Sequence, residues 1–181
     1  YKSMRNATLT TIAPTGTISI IANCSSGIEP VFALSYIREV LEGARLLEVN
    51  EVFEKVAKKE GFYSEELMHK IAQTGSIQKI KSIPERIRRI FVTAFDIAPE
   101  WHVRIQAAFQ KYTDQSVSKT INLPKKATIE DVRKVYLLAH KLKCKGITVY
   151  RYGSKKTQVL YISRRKLKAS QEYAGGCAGC H

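Results

Sequence analysis

The sequence predicts an α/β fold with parallel strand pairing, and three observations carry that expectation. Thr8 to Ile12 is rich in β-branched residues and is followed by a Gly/Thr/Ser loop and a short helical run, so the chain reads strand, loop, helix. Further on, the run from Ser116 to Leu123, the capped segment from Thr128 and the run from Ile147 to Tyr150 read strand, helix, strand, an alternation that favours parallel pairing. The composition supports a buried core: 181 residues, 44% hydrophobic and 25% charged, as in ordinary globular chains.

Thr8–Ile12 reads as a short buried strand, which Pro14 stops because proline has no N–H for a ladder. Gly16 permits a tight turn or the close approach of a ligand, and Thr17 or Ser19 can cap a helix through Ile20, Ile21 and Ala22. Such a loop gathers free N–H groups at a positive helix end and can hold a phosphate without a lysine. The same residues also suit an ordinary strand-to-helix turn.

Val31–Val40 and Ala44–Val49 read as a hairpin turned at Glu42-Gly43. Asn50 is a candidate N-cap for a helix whose stripe is Val52, Phe53, Val56 and Ala57, with Lys58 and Lys59 in the last turn and Gly61 at its end. Ser64 caps the next helix, which ends near Gly75; Leu67 and Met68 read as core and His69 as surface. Pro84 restarts a helix at a first-turn position, and Arg86, Arg88 and Arg89 read as a solvated face. Pro99 opens a further helix with Glu100 in its first turn. Trp101, Ile105, Ala108 and Phe109 recur on it as a packed apolar face, with His102, Gln106 and Gln110 on a neighbouring stripe. Those polar residues suit either a pocket wall or a core histidine with its partners; the spacing is poor for a metal.

In the strand Ser116–Leu123, Lys119 and Asn122 are expected to point into a site at the carboxyl edge of the sheet. Thr128 and Asp131 read as N-cap and capping-box partner, ahead of a buried face of Val132, Val135, Leu138 and Ala139. Lys143–Gly146 turns the chain into the strand Ile147–Tyr150.

The formal charge is +14, which favours an anionic partner. Seven basic residues and no acid lie between Arg151 and Lys168 (Arg151, Lys155, Lys156, Arg164, Arg165, Lys166 and Lys168). This run reads as a solvated tail that can touch phosphates weakly. No apolar run approaches the roughly 20 residues of a membrane span, and no secretory signal opens the chain. Four cysteines are too few for a disulfide scaffold and fit a reducing, cytoplasmic setting. Cys24 reads as a small buried thiol. Cys177 and Cys180, on a Gly-rich end, suit a dithiol that exchanges with other disulfides or half of a zinc site. The start at Tyr1, close to a strand, suggests a piece of a longer protein.

Three ordered stretches carry a family resemblance. They are Pro14-Thr15-Gly16-Thr17-Ile18-Ser19 with Cys24-Ser25-Ser26-Gly27-Ile28-Glu29-Pro30; Asp96 to Gln110 running on to Val117-Ser118-Lys119-Thr120-Ile121-Asn122-Leu123-Pro124; and Lys145-Gly146-Ile147-Thr148-Val149-Tyr150-Arg151. Over roughly Asn6 to Gly153 the chain resembles the C-terminal part of the large catalytic chain of class II, adenosylcobalamin-dependent ribonucleotide reductases. The resemblance implies part of a ten-stranded α/β barrel over residues 1–163 and a flexible basic tail over 164–181. It implies a ribonucleotide substrate whose phosphates rest on Thr15, Gly16, Thr17, Ile18 and Ser19. It also implies a shuttle role for Cys177 and Cys180, supplied by a thioredoxin- or glutaredoxin-type reductant.

The radical-bearing cysteine of that family lies in an Asn-x-Cys-x-Glu type motif, which does not occur here; Cys24 and Cys144 do not match it. No catalytic or metal-ligating residue is therefore assigned. The chain is expected to be inactive alone and to need the remainder of the catalytic chain, which also completes the adenosylcobalamin site. A different class is a basic, non-specific nucleic-acid or anion-binding module. No recognition helix, aromatic platform or paired zinc-finger spacing supports that alternative.

Overall fold

The computed structural model describes residues 3–22, 24–39, 45–154 and 160–161. In chain order these form helix α1 (Gly16–Ile21), strands β1 (Ser35–Glu39) and β2 (Arg45–Val49), helices α2 (Glu51–Lys59), α3 (Glu65–Thr74), α4 (Glu85–Ile90) and α5 (Pro99–Gln110), strand β3 (Thr120–Leu123), helix α6 (Ile129–Lys141), and strands β4 (Thr148–Arg151) and β5 (Leu160–Tyr161).

The expected parallel unit forms. β3 and β4 run parallel, in register from Thr120 opposite Thr148 to Leu123 opposite Arg151, with α6 as the crossover between them. α6 starts where the sequence places it. The Thr128 hydroxyl accepts the Asp131 N–H at 3.2 Å, and the Asp131 carboxylate accepts the Thr128 N–H at 2.8 Å. Val135 and Ala139 bury against Val103, Ile121 and Leu123 to make the core of this half.

Residues 8–12 differ from expectation. Leu9, Thr10 and Thr11 are exposed, and the segment makes one parallel bridge, Ile12 to Val117. Its bonded edge is satisfied, with the Gln115 N–H donating to Thr10 O at 3.0 Å and the Ser118 N–H to Ile12 O at 2.8 Å. Thr8 and Ile12 are half-buried, and the β-branched Thr10 and Thr11, which read as buried, lie open with Leu9.

Asp114 fastens this segment. Its Oδ2 accepts the Leu9 and Thr10 N–H groups at 3.0 and 3.3 Å, and its own N–H donates to Thr10 Oγ1 at 2.9 Å. The Leu9 bond, then those from Thr10, and the charge of Lys145 hold the carboxyl below its ordinary value of 3.8. A depressed folded-state pKa means that the clamp contributes fully above the unfolded value and is lost as pH falls through the folded one. Amide exchange at Leu9 and Thr10, relative to intrinsic rates, is therefore expected to quicken as pH falls below about 4. Phe53 and Ile71 in the other half should stay protected. Unchanged exchange at Leu9 would show that the clamp holds nothing.

The second half is a helical layer on an antiparallel sheet of order β2-β1-β5. β1 and β2 pair from Ser35 opposite Val49 to Glu39 opposite Arg45, the expected hairpin with shorter strands; Glu42-Gly43 lies outside the described residues. Asn50 caps α2 by accepting the Phe53 N–H at 3.0 Å, and Ser64 caps α3 by accepting the Leu67 N–H at 3.1 Å. Gly75 closes α3 at φ +72. Phe53, Met68, Ile71, Ile77, Ile83 and Ile87 form the core, with Leu67 packed at its edge and His69 exposed.

Three readings need correction in this half. Val52 is outside the stripe of α2, at 62% exposure. Pro84 is the N-cap of α4 rather than its first-turn residue. The arginines are not all a solvated face: Arg88 donates from Nε to Ile83 O and from Nη1 to Gln78 O, each at 3.1 Å, and Arg86 pairs with Glu60.

The largest departure is α5. Its apolar residues Trp101, Ile105, Ala108 and Phe109 are exposed, and His102, Gln106 and Gln110 are buried. The polar stripe faces inward because backbone carbonyls at the sheet end need donors there. Gln106 Nε2 serves Val117 O and Gly146 O, and Gln110 Nε2 serves Thr113 O and Gln115 O.

Candidate functional site

The loop before α1 is built on a non-glycine residue in left-handed backbone: Thr15 has φ +53. Such a residue is strained unless its surroundings hold it. The Ser26 hydroxyl spends its one proton on Pro14 O, so the 3.2 Å contact between Thr15 Oγ1 and Ser26 Oγ has Thr15 as donor. Gly27 serves this turn through its left-handed backbone rather than through lack of room. It sits at φ +50, and a β-carbon there would lie 3.5 Å from Ala13 O and 3.7 Å from Thr15 Oγ1.

Of the two roles expected of Gly16, making the turn is not the one it serves. Its φ is not positive, so no turn requires glycine, and a β-carbon there would meet no atom of the described chain within 4 Å. The space above it is open. Ser19 N–H to Thr15 O, 3.0 Å, is the first bond of the helix, so the N–H groups of Gly16, Thr17 and Ile18 have no intrahelical acceptor. All three residues are exposed. Ser19 is buried inside the helix rather than at its cap, and its hydroxyl donates back to Gly16 O at 2.7 Å.

Ser19 opens onto a cleft of about 650 Å³ lined further by Cys24, Ser25, Ser26, Glu29, Tyr36, Asn122 and neighbouring backbone. Cys24 is exposed on it, which overturns its reading as a buried thiol. Asn122 reaches this cleft as expected, at the end of β3. Lys119 does not. Its side chain is fully buried, and its ammonium contacts Glu29 Oε2 at 2.6 Å, Thr120 O at 2.6 Å and His102 Nδ1 at 2.9 Å. Three acceptors require three N–H donors, so the ammonium form is the one that fits.

His102 Nε2 lies 3.0 Å from Ala94 O and must carry the ring proton. Nδ1 is then the acceptor from Lys119, and the imidazole is neutral. Burial first, then the Lys119 charge, push the pKa of His102 down; burial likewise lowers that of Lys119 against the pull of Glu29. Glu29 was not singled out by sequence reasoning. Its signal was its place at the end of Cys24–Pro30, opposite the motif that holds Lys119.

The structure therefore brings residues of the first two sequence stretches together, Thr15–Ser19 with Ser26 and Glu29 from one and His102 on α5, Lys119 and Asn122 at β3 from the other, while the third stretch supplies β4 alongside β3. A search for relatives agrees with this convergence. The ribonucleotide reductase barrel domain matches residues 2–150. The chain belongs to the ribonucleotide reductase barrel family. It is 56% identical over 169 residues to a vitamin B12-dependent ribonucleoside-diphosphate reductase of Thermoplasma acidophilum, covering 93% of this chain and 22% of that protein. It is 51% identical over 178 residues to the protein of the same name from Mycobacterium tuberculosis, covering 97% and 25%. The class Id ribonucleotide reductase alpha subunit of Actinobacillus ureae superposes with a TM-score of 0.70 at 27% identity, over 84% of this chain and 28% of that one. The chain thus spans about a quarter of the curated relatives it matches. Cys177, Cys180 and the basic run after Ser154 lie outside the described residues, apart from Leu160 and Tyr161.

Proposed function

We propose that this chain supplies the substrate phosphate-binding loop of a vitamin B12-dependent reductase that converts ribonucleoside diphosphates to deoxyribonucleotides. The observation that carries the reading is the loop itself. The exposed N–H groups of Gly16, Thr17 and Ile18 stand beside the Thr15 and Thr17 hydroxyls, under open space at Gly16, with the cleft alongside. The names of the two relatives at 56% and 51% identity support the diphosphate and the cofactor.

In the reaction proposed, the ribose 2′-hydroxyl leaves as water while two thiols become a disulfide, so the nucleotide gains the two electrons the thiols lose. The Cys177–Cys180 pair would return that disulfide to thiols by exchange and be reduced in turn by a thioredoxin- or glutaredoxin-type protein in the cytoplasm. Adenosylcobalamin supplies the radical in this reading. None of the described histidines is free within the fold to hold it: both ring nitrogens of His102 are engaged, and His69 and His140 are exposed on helix surfaces. The cofactor site is assigned to the remainder of the catalytic chain.

The uncovered face of α5 supports such a partner. Trp101, Ile105 and Phe109 are 66%, 44% and 42% exposed on one stripe, as expected of a helix that packs against further barrel elements. Among the described residues, no helix is long and apolar enough to cross a membrane.

Gly16→Val tests the loop in the assembled reductase. Valine fits the open space, so thermal stability should hold, while its branched side chain occupies the place of the phosphate. KM for a ribonucleoside diphosphate is expected to rise about tenfold or more with kcat little changed. An unchanged KM would remove the loop from substrate binding.

A further inference from the structure

We propose that Glu29, Lys119 and His102 are positioning residues: a charged relay centred on the buried Lys119 that fixes the Thr15–Ser19 loop against strand β3. This deepens the phosphate-loop reading and rests on it. The relay can be followed atom by atom. Glu29 places both carboxylate oxygens on the start of β3, Oε2 on the Lys119 ammonium and Oε1 on the Thr120 N–H. Its own N–H donates to Ser26 O at 2.9 Å, closing the turn that contains Gly27. Ser26 then holds the loop through Pro14 O and the Thr15 hydroxyl. On the other side, His102 donates to Ala94 O, and the Ala94 N–H donates to Val31 O at 2.9 Å. The segment from Ser26 to Val31 is therefore gripped at both ends by groups that meet at Lys119.

Two features argue for positioning rather than bulk stability. Taking an ammonium and a carboxylate out of water is costly, and apolar side chains of similar volume often fill such places with equal or better stability. What an apolar filling cannot supply is direction. Lys119 has three acceptors in fixed places, and the tautomer of His102 is set by the carbonyl behind it. The second feature is Thr15. At φ +53 it lacks the freedom of glycine, so the loop keeps its shape only while its neighbours impose it. The sole side-chain hydrogen bond given by Thr15 among the described residues is to Ser26, three residues from Glu29.

The test uses the complete reductase with a ribonucleoside diphosphate as the probe. Glu29→Gln keeps the shape of the side chain and removes its charge. KM is expected to rise about tenfold with kcat within about twofold of the parent. Ser26→Ala should raise KM similarly, and the double variant should add little, because both act through one link. Glu29→Gln with Lys119→Met removes both charges together and strands neither; it should show the same KM rise even if its Tm recovers. Should Glu29→Gln alone fail to fold, that pair and Ser26→Ala still decide the matter. A fall in Tm with KM unchanged, or effects of Glu29 and Ser26 that simply add, would overturn the positioning role. Gly16→Val separates the two ideas. If it leaves KM unchanged, the phosphate-loop reading fails and the relay with it. If it raises KM while Glu29→Gln and Ser26→Ala do not, the relay alone fails.

Discussion

Phe53→Ala is expected to destabilise the chain by about 3–5 kcal/mol, the cost of a large cavity in a core that cannot collapse around it. Phe53 is completely buried. Its ring meets Phe91 edge-on with centroids 5.2 Å apart and lies 6.2 Å from Phe62. Met68, Ile71 and Ile87 belong to the same cluster. These neighbours come from α3, α4 and the loops between helices, so each is already anchored elsewhere and has little room to move inward. The measurement is a urea titration, where the midpoint should fall with little change in slope. Val52→Ala on the same helix is the control. At 62% exposure it should shift stability by no more than about 0.5 kcal/mol. Equal losses at the two positions would show that α2 presents a different face to the core.

That pair of residues marks how far the sequence could be read. Phe53 and Val52 stand side by side in one apolar run, and hydropathy alone places both in a stripe. What separates them is the layer packed on α2, which meets Phe53, Val56 and Ala57 and leaves Val52 outside, and no local signal gives that. The helix caps were legible: Asn50, Ser64, Gly75 and the Thr128–Asp131 box each act within a few residues and need no knowledge of the rest of the fold. The parallel pairing of β3 and β4 was legible for the same reason, because a strand, a capped helix and a strand in close succession have few ways to pack.

The candidate site was legible in its residues and less so in its mechanics. The Thr15–Ser19 loop was singled out, with the glycine there given two possible roles, making the turn or admitting a ligand, and the turn is not its work. The structure places the left-handed residues at Thr15 and Gly27 instead, twelve positions apart by numbering and in contact in space. Lys119 was expected to reach a ligand because it lies with Asn122 toward the carboxyl edge of the sheet, where α/β folds place ligands. Its burial depends on Glu29, 90 residues earlier in the chain, a partner that no local pattern announces. The open faces of residues 9–11 and of α5 have a further cause. The rule that apolar residues turn inward assumes that the whole domain is at hand, and this chain spans about a quarter of its relatives.

Gln106→Leu puts that last point to the test. If apolar residues on α5 belonged inside, exchanging a buried glutamine for leucine would be neutral or favourable. The structure predicts a loss of about 1–3 kcal/mol instead, because the side chain leaves two carbonyls behind it, and the one on buried Val117 bears the cost of an unsatisfied buried acceptor, roughly 1–3 kcal/mol. Gln106 is fully buried, and its Nε2 donates to Val117 O at 3.1 Å and to Gly146 O at 2.7 Å. Val117 carries the bridge to Ile12, and Gly146 leads into β4, so one amide ties together three strand segments. The gain is partly offset in the native chain, since Gln106 Oε1 has no partner among the described residues; leucine relieves that orphan and keeps the loss toward the lower end of that range. The comparison is Phe109→Ala on the exposed stripe, which should change the stability of this chain by about 0.5 kcal/mol or less while weakening its association with the remainder of the barrel. A urea midpoint lowered by Gln106→Leu and held by Phe109→Ala would establish that α5 is folded by its polar face and completed by its apolar one. The reverse order would mean that the helix is turned the other way.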